Sequence, residues 1–210
     1  MSLPARLLVI TDRHAATQPL EDVVAAALRG GCRWLSLREK DLGHAERVAL
    51  TNRIVARARP FGATVTVHGD VEAAAATGAG LHLPAGGSPE QARARLGRCA
   101  LIGLSVHSAR EAATADPASD YVTLSPIFAS ISKPGYGPAL GVQALADAAA
   151  RARVPIVALG GVTADNLGPC LAAGAAAVAV MGAVMAAADA ETATAALVQA
   201  IETRGRAVAP

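Results

Sequence analysis

Apolar runs recur along the chain at 6–11, 33–37, 64–68, 80–83, 100–106, 120–125, 154–159 and 176–181. Between them lie Ala-rich stretches of helix-favouring composition, at about 20–29, 43–58, 71–77, 88–96, 108–115, 140–151, 163–173 and 190–203. Short runs that are apolar on both faces suit parallel strands covered by helices. Strict alternation of strand and helix, with no break into two halves, predicts an α/β fold. Its parallel sheet closes into a single (β/α)8 barrel over residues 1–210. No G-x-G-x-x-G follows the first run, which argues against an open dinucleotide-binding sheet.

Such barrels carry their chemistry at the C-terminal strand ends, so strand alternation selects the candidate side chains. In the second run Leu35, Leu37 and Glu39 share one face, and Ser36, Arg38 and Lys40 share the other. The apolar set is expected to meet the helices, which leaves Arg38 and Lys40 at the rim. The same division turns Val65 and Val67 outward and Thr64, Thr66 and His68 inward. The fourth run supplies His82. The fifth sets Ile102, Leu104 and Val106 against the helices and Gly103, Ser105 and His107 inside, so that His107 ends a polar stripe at the mouth. Solvated charges and structural histidines are the competing readings. His14 and His44, in a loop and at a helix start, read as surface residues.

The stretch from Val154 to Val184 reads as strand, helix and strand, and its two strands stop at Gly160-Gly161 and Met181-Gly182. Backbone amides at two neighbouring strand ends, helped by a helix N-terminus at Thr163, predict a phosphate site there. The rim glycines are expected to permit ligand approach rather than to serve packing. A polar loop rich in Gly and Pro follows the sixth run and carries Ser130, Ser132 and Lys133, a set suited to a phosphate lid.

Charge and composition then narrow the partners. With 19 Lys plus Arg against 17 Asp plus Glu, no charge excess points to nucleic acid or an anionic membrane. Aromatic residues are 2%, too few to stack bases. No long apolar segment or secretory leader is evident, so a cytoplasmic chain is expected. Cys32, Cys99 and Cys170 lack metal-ligand spacing and read as buried free thiols. Of the basic residues only Lys40 and Lys133 are lysine, which marks both as positions where an ammonium is wanted.

Five motifs together resemble the thiamin phosphate synthase family and its TenI-like branch, the thiazole tautomerases. They are ITDR at 10–13, LREK at 37–40, SVHS at 105–108, DYVTLSPIF followed by SISK, and LGGVT at 159–163. The resemblance spans essentially the whole chain. It implies a (β/α)8 barrel that binds a thiazole phosphate, with the phosphate on the amides around Gly160, Gly161, Met181 and Gly182. It also implies that Arg38, Lys40, His68, Ser130, Ser132 and Lys133 contact substrate.

Departures from the family pattern bear on the reaction. Synthases of this family usually carry Gln two residues before the Arg of REK, an Asn-Asp-Arg triplet after the third strand and an Asp shortly after the fourth. Here those places hold Ser36, His68-Gly69-Asp70 and the acid-free PAGGS at 84–88. In the synthases the two Asp hold Mg²⁺, a hard cation that needs oxygen ligands. Asp70 is one position out of register, which leaves a shifted site open, but no metal or other cofactor is expected. The SVHS segment is similar to the one carrying the catalytic histidine of the tautomerases, and this maps onto His107. The first expectation is therefore a thiazole tautomerase moving a proton on carboxythiazole phosphate, with Arg38 or Lys40 on the carboxylate. A thiamin phosphate synthase using Mg²⁺ is the alternative, and a non-catalytic binder of thiazole or thiamin phosphates is the second. A homodimer is left open.

Overall fold

The computed structural model describes residues 2–129 and 138–206. Eight strands run in chain order around a closed, all-parallel barrel: β1 (Leu7–Ile10), β2 (Trp34–Leu37), β3 (Thr64–His68), β4 (Gly80–Leu83), β5 (Ile102–Val106), β6 (Tyr121–Leu124), β7 (Ile156–Leu159) and β8 (Ala177–Val180). Closure comes from β1 lying against β8, with Leu7 opposite Val178 and Val9 opposite Val180. The helices are α1 (Leu20–Arg29), α2 (His44–Ala58), α3 (Val71–Thr77), α4 (Pro89–Leu96), α5 (Ala109–Ala113), α6 (Gly141–Ala149), α7 (Leu167–Ala172), α8 (Gly182–Met185) and α9 (Ala190–Arg206). Among the described residues no helix is long and apolar enough to cross a membrane.

The strands bury both faces, as a parallel sheet inside a ring of helices must. Outward-facing Leu7, Val9, Leu35, Leu37, Val65, Leu104, Val106, Val122, Leu124, Ile156, Ala158, Val178 and Val180 join helix residues such as Val24, Leu28, Ile54 and Leu145 in one layer of core. A second core fills the barrel itself and contains Leu8, Ile10, Trp34, Leu101, Tyr121, Val157, Ala177 and Ala179.

Aromatic side chains are scarce in this chain, and two of them close the N-terminal end of the barrel. Trp34 and Tyr121 open their strands, are fully buried, and meet edge to face with centroids 4.7 Å apart. Gly103 makes room for them, because a Cβ there would overlap the Tyr121 ring. Gly80, on the neighbouring strand, admits the chain at Leu101 instead, since a Cβ there would sit 2.7 Å from the Leu101 carbonyl oxygen. Glycine inside a strand thus marks the close approach of a bulky neighbour.

Strand positions agree with the sequence reading to within two residues, and three details differ. Helix α7 starts at Leu167 rather than 163, because Asn166 folds back: its Oδ1 accepts from Thr163 N at 2.8 Å and its Nδ2 donates to Gly161 O at 2.9 Å. The one-turn α8, directly after β8, was not expected. Cys32 and Cys170 are buried, and burial pushes both thiols up to about 11. Cys99, by contrast, is exposed. It lies in the turn between α4 and β5, where the buried side chain is Leu101.

Candidate active site

The C-terminal mouth of the barrel opens into a cavity of about 770 Å³. Arg38, Lys40, His68, His107, Gly160, Gly161, Met181 and Gly182 all line it, so the strand ends bring together every sequence-selected site residue among those described. Ser130, Ser132 and Lys133 lie outside the described residues. Leu8, Ile10, Leu159 and Ala179 supply apolar lining.

His107 sits just past β5, with its backbone N–H donating to Glu111 Oε2 at 2.6 Å. Its Nδ1 lies 3.0 Å from the carbonyl oxygen of Ser125. A carbonyl can only accept, so Nδ1 carries the hydrogen and Nε2 holds the lone pair in the neutral ring. Position and tautomer are therefore set by the end of β6.

Deeper in the cavity lies His82, 4% exposed. Its Nδ1 pairs with the Tyr121 hydroxyl at 3.0 Å, and its Nε2 pairs with Ser105 Oγ at 2.9 Å and Thr123 Oγ1 at 3.3 Å. The His68 ring stacks on it with centroids 5.5 Å apart. Burial, and then the charge of His68, pull His82 down to about 3, so this ring stays neutral near pH 7. Burial likewise raises the Tyr121 hydroxyl well above its usual value. Sequence alternation places His82 on the inner face. Its partners come from two other strands, and no sequence spacing reveals that network.

Among the described residues no Asp or Glu lines the cavity. The charge of Arg38, followed by burial, lowers the Lys40 ammonium from its ordinary value, as expected of two cations sharing one wall. Across the cavity, Gly160 and Gly161 adopt φ of +99° and +63°. The backbone N–H groups of Gly161, Val162, Gly182 and Ala183 donate to no acceptor among the described residues. Such groups suit an anion.

Two expectations for this wall need correction. Thr163 N is occupied by Asn166, so the extra donors come from the start of α8 rather than from a helix at Thr163. The glycines also do more than permit approach, because the segment 126–129 packs directly over them. A Cβ on Gly160 would lie 2.7 Å from Pro126 Cα, and one on Gly161 would collide with the Ala129 carbonyl oxygen. Ile127 N and Phe128 N donate to Leu159 O and Gly160 O, each at 2.9 Å, and hold the segment there.

The sequence model of the thiamine monophosphate synthase family matches residues 7–184. The chain belongs to this family. A putative thiamine-phosphate synthase of Geobacter sulfurreducens is 39% identical over 172 residues, covering 80% of this chain and 81% of the relative. A thiamine-phosphate synthase of a Roseiflexus species is 37% identical over 207 residues, covering 95% and 88%. Among solved structures, a thiamine phosphate pyrophosphorylase from Pyrococcus furiosus superposes with a TM-score of 0.85 at 29% identity, covering 95% of this chain and 96% of that one.

A hard divalent cation requires several oxygen ligands, and the donors present do not fit one. Asp70 does not line the cavity. Its carboxylate caps α3 by accepting from Ala73 N at 2.8 Å, and it also takes Arg47 Nη1 at 2.6 Å and His44 Nδ1 at 3.0 Å. Burial pushes this carboxyl up, but Ala73, His44 and Arg47 together hold it below the usual range. Among the described residues no group of three His, Cys, Asp or Glu side chains is arranged to hold a metal.

Proposed function

We propose that this chain is a thiazole tautomerase, an isomerase that moves a proton on carboxythiazole phosphate through His107. The observation that carries this reading is the composition of the cavity wall among the described residues: two cations, a histidine of set tautomer and amides with no acceptor there, without a carboxylate. In this reading the amides around Gly160, Gly161, Met181 and Gly182 hold the phosphate, and Arg38 or Lys40 receives the carboxylate. His68 borders the ring, and Ser130, Ser132 and Lys133 add further substrate contacts. Nε2 of His107 takes a proton from one position of the heterocycle, and the imidazolium returns a proton at another, which leaves the aromatic thiazole. The Ser125 carbonyl keeps the ring oriented and favours the charged intermediate. The net proton count is unchanged, and the step needs neither pyrophosphate nor a metal.

The names of the relatives favour a second reading, a transferase that joins a pyrimidine pyrophosphate to thiazole phosphate with release of pyrophosphate. Arg38 and Lys40 would then face the pyrophosphate. An assay with both substrates and Mg²⁺ separates the two. Little thiamin phosphate is expected, because the oxygen ligands for a cation beside the leaving group do not fit. Metal-dependent product at ordinary enzyme rates would establish the transferase instead. Tight binding of thiazole phosphate without turnover in either assay would leave a binding protein.

A further inference from the structure

The run Arg38-Glu39-Lys40-Asp41 divides its charges between two sides of a strand end. Arg38 and Lys40 line the cavity, whereas Glu39, 3% exposed, turns to the β1–α1 connection. One carboxylate oxygen of Glu39 accepts from Thr11 Oγ1 at 2.7 Å. The other accepts from the Arg13 backbone N–H at 3.1 Å and from its guanidinium at 3.4 Å. A hydroxyl has one proton, and that of Thr11 points at Glu39, so its lone pair receives Arg38 N–H at 3.0 Å.

Regular pairing of β1 with β2 ends at Ile10 and Ser36, extended once by Thr11 N donating to Ser36 O. Beyond that point the relay Arg13–Glu39–Thr11–Arg38 joins the two segments through side chains. We propose that Glu39 is a positioning residue for the anion-receiving pair. Through Thr11 it fixes the Arg38 backbone, so that residues 38 and 40 both turn into the cavity. Arg13 balances this carboxylate and also binds Asp41 at 2.6 Å, so both acids of the run are matched on the outer side. Neither acid then draws Arg38 or Lys40 away from the cavity.

Chemistry makes the carboxylate hard to replace. An amide at position 39 has one acceptor atom and one donor atom. If the donor faces Thr11, the hydroxyl must accept from both the amide and Arg38 N–H and turn its own proton away from position 39. If it faces Arg13, two N–H groups oppose each other. Glu39→Gln therefore weakens the relay in either orientation, at the Arg13 end or at Thr11, and Thr11→Val breaks it with no change of charge.

The test rests on the proposed function only in assigning the substrate carboxylate to Arg38 and Lys40, and it has two arms. In the first, hydrogen exchange at the Arg38 amide is followed by NMR in wild type, Glu39→Gln and Thr11→Val. Loss of protection in both variants is expected, and unchanged protection in both would overturn the relay. In the second, affinities for carboxythiazole phosphate and for thiazole phosphate lacking the carboxylate are measured by calorimetry. The variants should weaken the first by about tenfold or more, the size of a misplaced charge-assisted contact, and leave the second nearly unchanged. Equal weakening of both ligands would make Glu39 merely structural and overturn the proposal. Wild-type protein that binds both ligands alike would refute the carboxylate assignment, with the exchange arm still deciding the relay. Should Glu39→Gln fail to fold, Thr11→Val alone carries both arms.

Discussion

Replacing His107 with asparagine is expected to lower turnover of the carboxythiazole tautomer by about 10² to 10⁴, the usual contribution of a general acid/base, while substrate binding persists. Asparagine keeps a side-chain N–H that can reach the Ser125 carbonyl, so the end of β6 retains its partner. What it loses is Nε2, the atom assigned to accept the proton in the proposed reaction. Rates and substrate affinities of the two proteins, measured side by side, check both statements. Equal rates would remove His107 from the chemistry and pass the proton to His68. His82 is a poor substitute, since burial suppresses its protonation.

Gly161→Val is expected to abolish phosphate binding and to destabilise the protein, a stronger outcome than an approach-only role would give. The backbone there has φ of +63°, which a β-branched residue scarcely adopts, and its Cβ would also run into Ala129 O and lie 2.8 Å from Phe128 Cβ. Strain and overlap together cost about 2 to 5 kcal/mol. The first structure to move would be the 126–129 segment that Gly160 anchors by hydrogen bond. Thermal denaturation with and without phosphate reads both effects. An unchanged melting temperature with undiminished protection by phosphate would take these amides out of the site.

The fold was legible because its signals are local. Each strand is a short, largely apolar run, and alternation within it sorted Leu35 from Ser36 and Leu104 from Ser105 correctly. The rim residues followed, since they are the next positions along the same alternation. What was not legible depends on contacts between distant segments. Glu39 could be placed on the outer side, but its partners Thr11 and Arg13 are 28 and 26 residues away. The packing of 126–129 over Gly160 and Gly161 is equally non-local. Asn166 hid the true start of α7, because a side chain that satisfies Thr163 N looks in sequence like any residue in a first helical turn. Asp70 was the reverse case: its residue type suggested a ligand, and only the structure shows Arg47, His44 and Ala73 already holding it.

The Trp34 and Tyr121 stopper at the base of the barrel also shapes how traffic must flow. With that end sealed, the cavity is a vessel with one door, and whatever enters at the mouth leaves by the mouth. Substrate and product of an isomerisation share the same phosphate and differ only in where a proton sits. In the proposed isomerisation they would queue for one doorway and one phosphate seat, so accumulated product is expected to compete directly with the next substrate molecule.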